Sequence, residues 1–166
     1  MLTAHEIFGF MSPALAREIV DGLHASEKEV YRAILQGVAE AKKVRPIFLE
    51  RKPLAQRHQD MVSMLAKPHL DFLALNALQT WLLKKQSAML GSFLDFLGVA
   101  HQNGAIEKLP TAVPEDKLTS AVENLLAKYP REHVAVYLRA FNDLNEVTWP
   151  ELSAMLERDE RLQLGA

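Results

Sequence analysis

Residues 70–98 read LDFLALNALQTWLLKKQSAMLGSFLDFLG and form the most apolar stretch of the chain. Polar and charged side chains interrupt this stretch, so it falls short of the roughly 20 uninterrupted apolar residues that a membrane-spanning helix needs. We therefore interpret it as a pair of buried helices. The first is expected to run from His69 through Leu83, and the second from about Ser87 to Gly98.

Apolar side chains surround most of the first of these helices. They are too numerous to share one apolar stripe about 100° wide. Such a helix is either central to its own bundle or shared with a partner. A homodimer or a partner-binding groove is therefore one expectation, and a fully wrapped central helix is the other. The side chains concerned are Phe72, Leu73, Leu75, Leu78, Leu82 and Leu83.

Helix start and stop signals continue on both sides of this pair. Ser12-Pro13 is typical of a helix start, because serine accepts a free backbone N–H and proline gives up a donor that has no partner there. The run from Ser26 to Glu29 resembles a capping box that opens a further helix, so an antiparallel helical hairpin is expected. Prolines or their neighbours mark the other helix ends, at residues 45–46, 53, 67–68, 114, 129–130 and 150.

Asn103-Gly104 is the one β-type signal in the chain. This pair favours the positive φ angles of a tight hairpin turn. A tiny β-hairpin is therefore expected within residues 99–107. The whole pattern predicts an all-α fold, a compact multi-helix bundle of antiparallel helical hairpins that this hairpin briefly interrupts.

Length and composition favour one globular domain over residues 1–166. Apolar residues make up 49% of the chain, too many for a disordered protein. Folding a chain of this length should bury roughly 70% of its surface, enough for a stable core. There are no cysteines, which excludes disulfides, thiolate zinc sites and cysteine nucleophiles. The N-terminus lacks the pattern of a signal peptide, so a cytoplasmic location is expected.

Charge is unevenly distributed along the chain. Residues 41–90 hold nine basic and three acidic side chains, a net charge of +6, within a chain whose total is −2. Seven cationic or potentially cationic groups fall within residues 42–58. This basic segment is the predicted contact for an anion or an acidic partner, and a solvated connection is the alternative. The candidate residues are Arg45, Arg51, Lys52, Arg57 and His58.

No catalytic, metal or cofactor motif is found. The chain has no glycine-rich phosphate loop, no His-Glu-x-x-His and no Gly-x-Ser-x-Gly. None of its six histidines is paired with another at the i, i+4 spacing of a helical metal site. Asp71 and Asp95 fall inside apolar helical runs, and we expect each to lie on the exposed stripe of its helix or to cap a turn. We accordingly assign no catalytic residue, no metal ligand and no cofactor.

Three functions remain open at this stage. The preferred hypothesis is a non-enzymatic helical protein-interaction module that can self-associate as a homodimer, with the basic segment at 42–57 as a contact surface. The second is a small-ligand-binding or enzymatic bundle with a site between the central helices, near Asp71, Trp81 and Asp95. The third is nucleic-acid binding through the basic segment, which is disfavoured because the rest of the chain is acidic and only Phe48 could stack on a base.

Overall fold

Ten α-helices account for most of residues 1–165, which the computed structural model describes. A two-stranded antiparallel hairpin and two short 3-10 turns, Pro68–Leu70 and Glu160–Leu162, complete the elements of these residues. The predicted all-α class with one tiny hairpin is confirmed. In chain order the elements are α1 (Ala4–Phe10), α2 (Pro13–Ser26), α3 (Lys28–Ala41), α4 (Pro46–Glu50), α5 (Leu54–Leu65), α6 (Asp71–Lys85), α7 (Ser87–Leu97), β1 (His101–Gln102), β2 (Ala105–Ile106), α8 (Glu115–Lys128), α9 (Arg131–Asp143) and α10 (Pro150–Arg158).

The chain divides into two units. The first comprises Thr3–Trp81, and the second comprises Met1–Leu2 and the chain from Leu82 onward. In the first unit α2 packs against α3 and α5, while α3 also packs against α4 and α5. In the second unit α7 packs against α8, α8 against α9, and α9 against α10. The single domain over residues 1–166 stays a prediction, which a single unfolding transition would support.

The α2–α3 hairpin begins as the sequence indicates but turns differently. Ser12 accepts a hydrogen bond from the Leu15 N–H at 3.2 Å, and Pro13 is the first helical residue. The capping box expected at Ser26 is wrong, because Ser26 is still part of α2. Its hydroxyl donates to the Gly22 carbonyl at 3.1 Å, one turn back. Only Glu27 separates the two helices.

Helix α6 is covered on one side and open on the other. Leu73 and Leu78 are buried, whereas Phe72 is 65% exposed and Leu83 is 39% exposed. The central-helix alternative therefore does not hold, because a fully wrapped helix would leave neither side chain in solvent. Within residues 1–165, no helix combines the length and the apolar character needed to span a bilayer.

The β-hairpin turns at Asn103-Gly104, as predicted. Both residues have positive φ, 51° at Asn103 and 90° at Gly104. Gly104 is also packed closely, since a Cβ atom built there would lie 2.6 Å from the Cβ of Leu90. Position 104 therefore needs glycine for its backbone conformation and for its lack of a side chain.

Candidate functional site

The basic segment, residues 42–58, runs from the end of α3 through α4 into α5. Two of its five candidate residues, Arg45 and Arg51, are exposed and form no ion pair with residues 1–165. Lys52 is half-buried, and its Nζ lies 2.7 Å from Asp60 Oδ2. Of the five candidates, the two arginines without an ion pair in residues 1–165 are therefore the cations available to a partner.

Arg57 is held against the end of α4. Its Nε donates to the carbonyl of Leu49 at 3.1 Å. Its Nη2 donates to the carbonyls of Glu50 at 2.6 Å and Lys52 at 3.4 Å. The last carbonyls of a helix lack partners within the helix, and a nearby cation stabilises them. Arg57 thus fixes the connection between α4 and α5, and its guanidinium is held in place.

His58 is fully buried in the first unit. Its Nδ1 lies 2.5 Å from Asp21 Oδ1, and its Nε2 lies 2.8 Å from the Tyr31 hydroxyl. Arg17 Nε donates to the same carboxylate oxygen at 2.9 Å, and Arg57 Nη1 donates to the Tyr31 hydroxyl at 3.4 Å. Helices α2, α3 and α5 each supply one member of the triad Asp21–His58–Tyr31, in which His58 and Tyr31 are buried and Asp21 is 49% exposed.

The triad has one consistent set of protons. Burial lowers the pKa of His58, against the opposing effect of Asp21, so the ring is neutral near pH 7. Nδ1–H then donates to Asp21, and Nε2 accepts the proton of the Tyr31 hydroxyl. Burial raises the pKa of Asp21, but hydrogen bonds from Arg17 and His58 outweigh this effect, and the pKa is lowered overall. The carboxylate therefore stays ionised beside a neutral imidazole.

Stability should fall in acid because of His58. In the unfolded chain this histidine binds a proton near pH 6.5, about its ordinary pKa, whereas the folded chain keeps it neutral to lower pH. The free energy of unfolding should therefore decrease as the pH falls below about 6.5, until the lowered pKa of the folded state is reached. Urea titrations between about pH 8 and pH 5 measure this slope.

Two variants separate this effect from the titration of other groups. His58→Gln should reduce the acid slope, while His69→Gln should retain it, because His69 is exposed. Equal slopes in both variants would contradict the assignment. Asp21 adds a second loss at lower pH, since a lowered folded pKa gives stability that disappears as the pH falls through that value.

A pocket of about 220 Å³ opens beside the triad. Lys28, Arg32 and Arg57 bring positive charge to its wall, and Glu50 brings the one carboxylate. Its remaining lining residues are His24, Tyr31 and Leu35. The His24 ring lies 4.6 Å from that of Tyr31 and 5.1 Å from that of His58, measured between centroids.

The basic segment also presents apolar side chains to solvent. Val44 is 39% exposed, Ile47 46%, Phe48 54% and Leu54 44%. Helix α4 has five residues, and Leu49 is its one buried side chain. The short helix thus anchors through one leucine and leaves its neighbours outside. We call this surface the contact strip and define it as Val44, Arg45, Ile47, Phe48, Arg51 and Leu54.

The two aspartates in apolar helices each bond to a histidine instead of forming a common site. Asp71 Oδ1 lies 2.7 Å from His5 Nδ1, and Asp95 Oδ1 lies 2.7 Å from His101 Nε2. Their side chains are 41% and 76% exposed, so the expectation of exposed carboxylates is confirmed. The Gly104 N–H donates to His101 Nδ1 at 3.0 Å, which occupies the second ring nitrogen. His101 therefore has no free ring nitrogen to act as a general base, whereas His5 is bonded through Nδ1 alone.

Sequence reasoning missed the triad, although one pattern in α5 indicates that His58 is buried. In α5, His58 precedes Met61 by three residues and Leu65 by seven, which places it on the buried face. A histidine on an apolar stripe needs hydrogen-bond partners, yet the pattern does not name them. No group of three or more potential ligands that could hold a metal ion occurs within the described residues.

Comparisons with known proteins add no relative. No protein-family model, no curated protein and no solved structure matches the chain.

Proposed function

We propose that the chain is a helical protein-interaction module that binds an acidic partner surface through the contact strip. The observation that carries the proposal is the joint exposure of four apolar side chains and two unpaired arginines within eleven residues, 44–54. Contact surfaces between proteins combine apolar and aromatic anchors with arginine. Contiguous apolar groups in solvent otherwise carry a risk of aggregation.

The arginines favour an acidic partner. Arg45 and Arg51 are free, and Lys42 and Lys43 at the end of α3 add exposed positive charge. Opposite charge on a partner increases the rate of encounter and selects the orientation of binding. The preferred partner therefore offers carboxylates around an apolar centre.

A second copy of the chain carries such a surface. In the second unit, a groove of about 500 Å³ is lined by Glu115, Glu151, Asp159, Ala154 and Met155, together with Pro150 and Arg158. One Glu151 oxygen is buried and has no hydrogen-bond partner within residues 1–165. Asp159 is paired with Arg161 at 2.7 Å, so Glu115 and Glu151 are the carboxylates that the groove offers to the oppositely charged contact strip. We therefore propose self-association, with the strip of one copy against the groove of another.

Sedimentation velocity over a wide concentration range tests the proposal. The unaltered chain should form a dimer or larger species that weakens as salt is added, because salt screens the exposed charges. The double variant Ile47→Ser with Phe48→Ser should remain monomeric, and so should Glu115→Lys, which reverses one charge of the groove.

Phe10→Ser is the matched control. It removes an aromatic that is 55% exposed and lies outside both the strip and the groove. This variant should associate as the unaltered chain does. A strictly monomeric unaltered chain, or equal loss of association in Phe10→Ser, would contradict self-association through the strip.

A further inference from the structure

The pocket beside the triad does not share a residue with the contact strip. Lys28, Tyr31, Arg32 and Leu35 line it from α3, at positions i, i+3, i+4 and i+7 of one helix face. Arg57 closes it from α5 and Glu50 from the end of α4. With His24 from α2, four helices thus bring polar groups together at one small opening.

Two of the three cations in the pocket have no partner. Within residues 1–165, neither Lys28 nor Arg32 forms an ion pair or a hydrogen bond through its side chain. Both are exposed, so water solvates them in the empty pocket. Together with Arg57 and against Glu50, they give the lining a net charge of +2.

The third cation is held in place. Arg57 uses its Nε and Nη2 on backbone carbonyls, and one Nη1 hydrogen on the Tyr31 hydroxyl. A guanidinium has five N–H donors in a fixed fork, so one Nη1 hydrogen remains for a ligand. Since the Tyr31 proton is directed to His58, the Tyr31 oxygen is the acceptor for Arg57. The triad therefore acts as a positioning element, and Tyr31 orients Arg57 at the pocket.

We propose that this pocket binds the phosphate group of a small ligand. A net charge of +2 matches a dianion, and arginine forks suit the geometry of phosphate oxygens. Typical ligand sites measure about 300 Å³ or more, so a pocket of about 220 Å³ holds a single charged group and leaves the remainder of the ligand in solvent. The fixed Arg57 supplies orientation, while Lys28 and Arg32 supply attraction.

Titration calorimetry and amide NMR with inorganic phosphate, sulfate and phenyl phosphate test the proposal at constant ionic strength. All three anions should bind saturably and shift amide signals around residues 28–35 and 57. Acetate, a monoanion, should bind more weakly. Tighter binding of phenyl phosphate than of inorganic phosphate identifies an ester as the ligand class, and equal binding identifies free phosphate.

Arg32→Gln should weaken phosphate binding about tenfold or more, because a charge-assisted hydrogen bond is lost. Arg51→Gln is the matched control, since it removes another exposed arginine, outside the pocket, and should leave binding unchanged. Tyr31→Phe should weaken binding by freeing Arg57, and thermal melts of the variant show whether the fold is retained.

Absence of saturable binding up to about 20 mM phosphate, a concentration at which a useful site would be filled, would overturn the proposal. Equal weakening in Arg32→Gln and Arg51→Gln would also overturn it, because that result describes general attraction to a basic surface. Neither result depends on self-association, so the phosphate pocket and the contact strip stand or fall separately.

Discussion

Trp149→Ala is expected to lower the free energy of unfolding by about 4 kcal/mol. The side chain is 1% exposed, and its ring centroid lies 5.0 Å from that of Phe141. Its Nε1 donates to the Pro110 carbonyl at 2.9 Å. Alanine would leave a large cavity and remove the hydrogen bond that ties the loop before α8 to the start of α10.

Urea unfolding followed by circular dichroism measures this loss. Trp149→Phe is a graded comparison, because it keeps a ring in the core and removes the N–H. It should cost about 1–2 kcal/mol, roughly the value of a hydrogen bond together with a modest loss of volume. Phe96→Ala removes an aromatic that is 44% exposed and should cost much less than either. A loss in Trp149→Ala no greater than that in Phe96→Ala would contradict this account of the core.

The same urea titrations test whether residues 1–166 form a single domain. If they unfold as one domain, Trp149→Ala shifts the unfolding transition equally for every probe, including probes in Thr3–Trp81. If the two units unfold separately, the first unit keeps its transition and only the second shifts. Hydrogen exchange at the buried amides of α3 and α9 distinguishes these results.

His58→Ala is expected to cost about 3 kcal/mol. The change removes a fully buried ring and leaves the Tyr31 hydroxyl, in a residue that is 6% exposed, without its acceptor. Asp21 keeps only its contact with Arg17. The energy lost is therefore that of the cavity together with the cost of a buried hydroxyl whose proton has no acceptor, while its oxygen still accepts from Arg57.

His69→Ala is the matched control for this loss. The residue lies in the 3-10 turn before α6 and is exposed, so its removal should change the free energy of unfolding by less than about 0.5 kcal/mol. Chemical denaturation at pH 7.5 keeps His58 neutral and isolates the effect of packing. Similar losses of unfolding free energy in the two variants would show that the triad does not stabilise the first unit.

Local signals in the sequence predicted the fold well, because each acts over a few residues. Ser12-Pro13 specifies a capped helix start, and Asn103-Gly104 specifies a turn with positive φ. Ser26 failed because its hydroxyl has two possible partners, a following N–H or a preceding carbonyl, and the sequence does not choose between them.

The candidate site was less predictable because its members are distant in sequence. Asp21 and His58 are 37 residues apart, and only the packing of α2 against α5 joins them. The sequence predicts that Arg57 and His58 contribute to one basic surface. In the structure Arg57 binds the carbonyls at the end of α4, whereas His58 is buried in the core. Adjacent residues on a helix point about 100° apart, so a charge run does not define a surface.

The contact between Gly104 and Leu90 restricts how this protein can vary among descendants. A side chain at position 104 would collide with the Cβ of Leu90, an atom that every residue except glycine possesses. Glycine at 90, in the middle of α7, would remove that collision but would leave the positive φ of 90° at position 104. Loss of Gly104 therefore needs at least two coordinated changes, one that clears space on α7 and one that reshapes or moves the turn. Descendants that keep the hairpin should accordingly keep glycine at position 104.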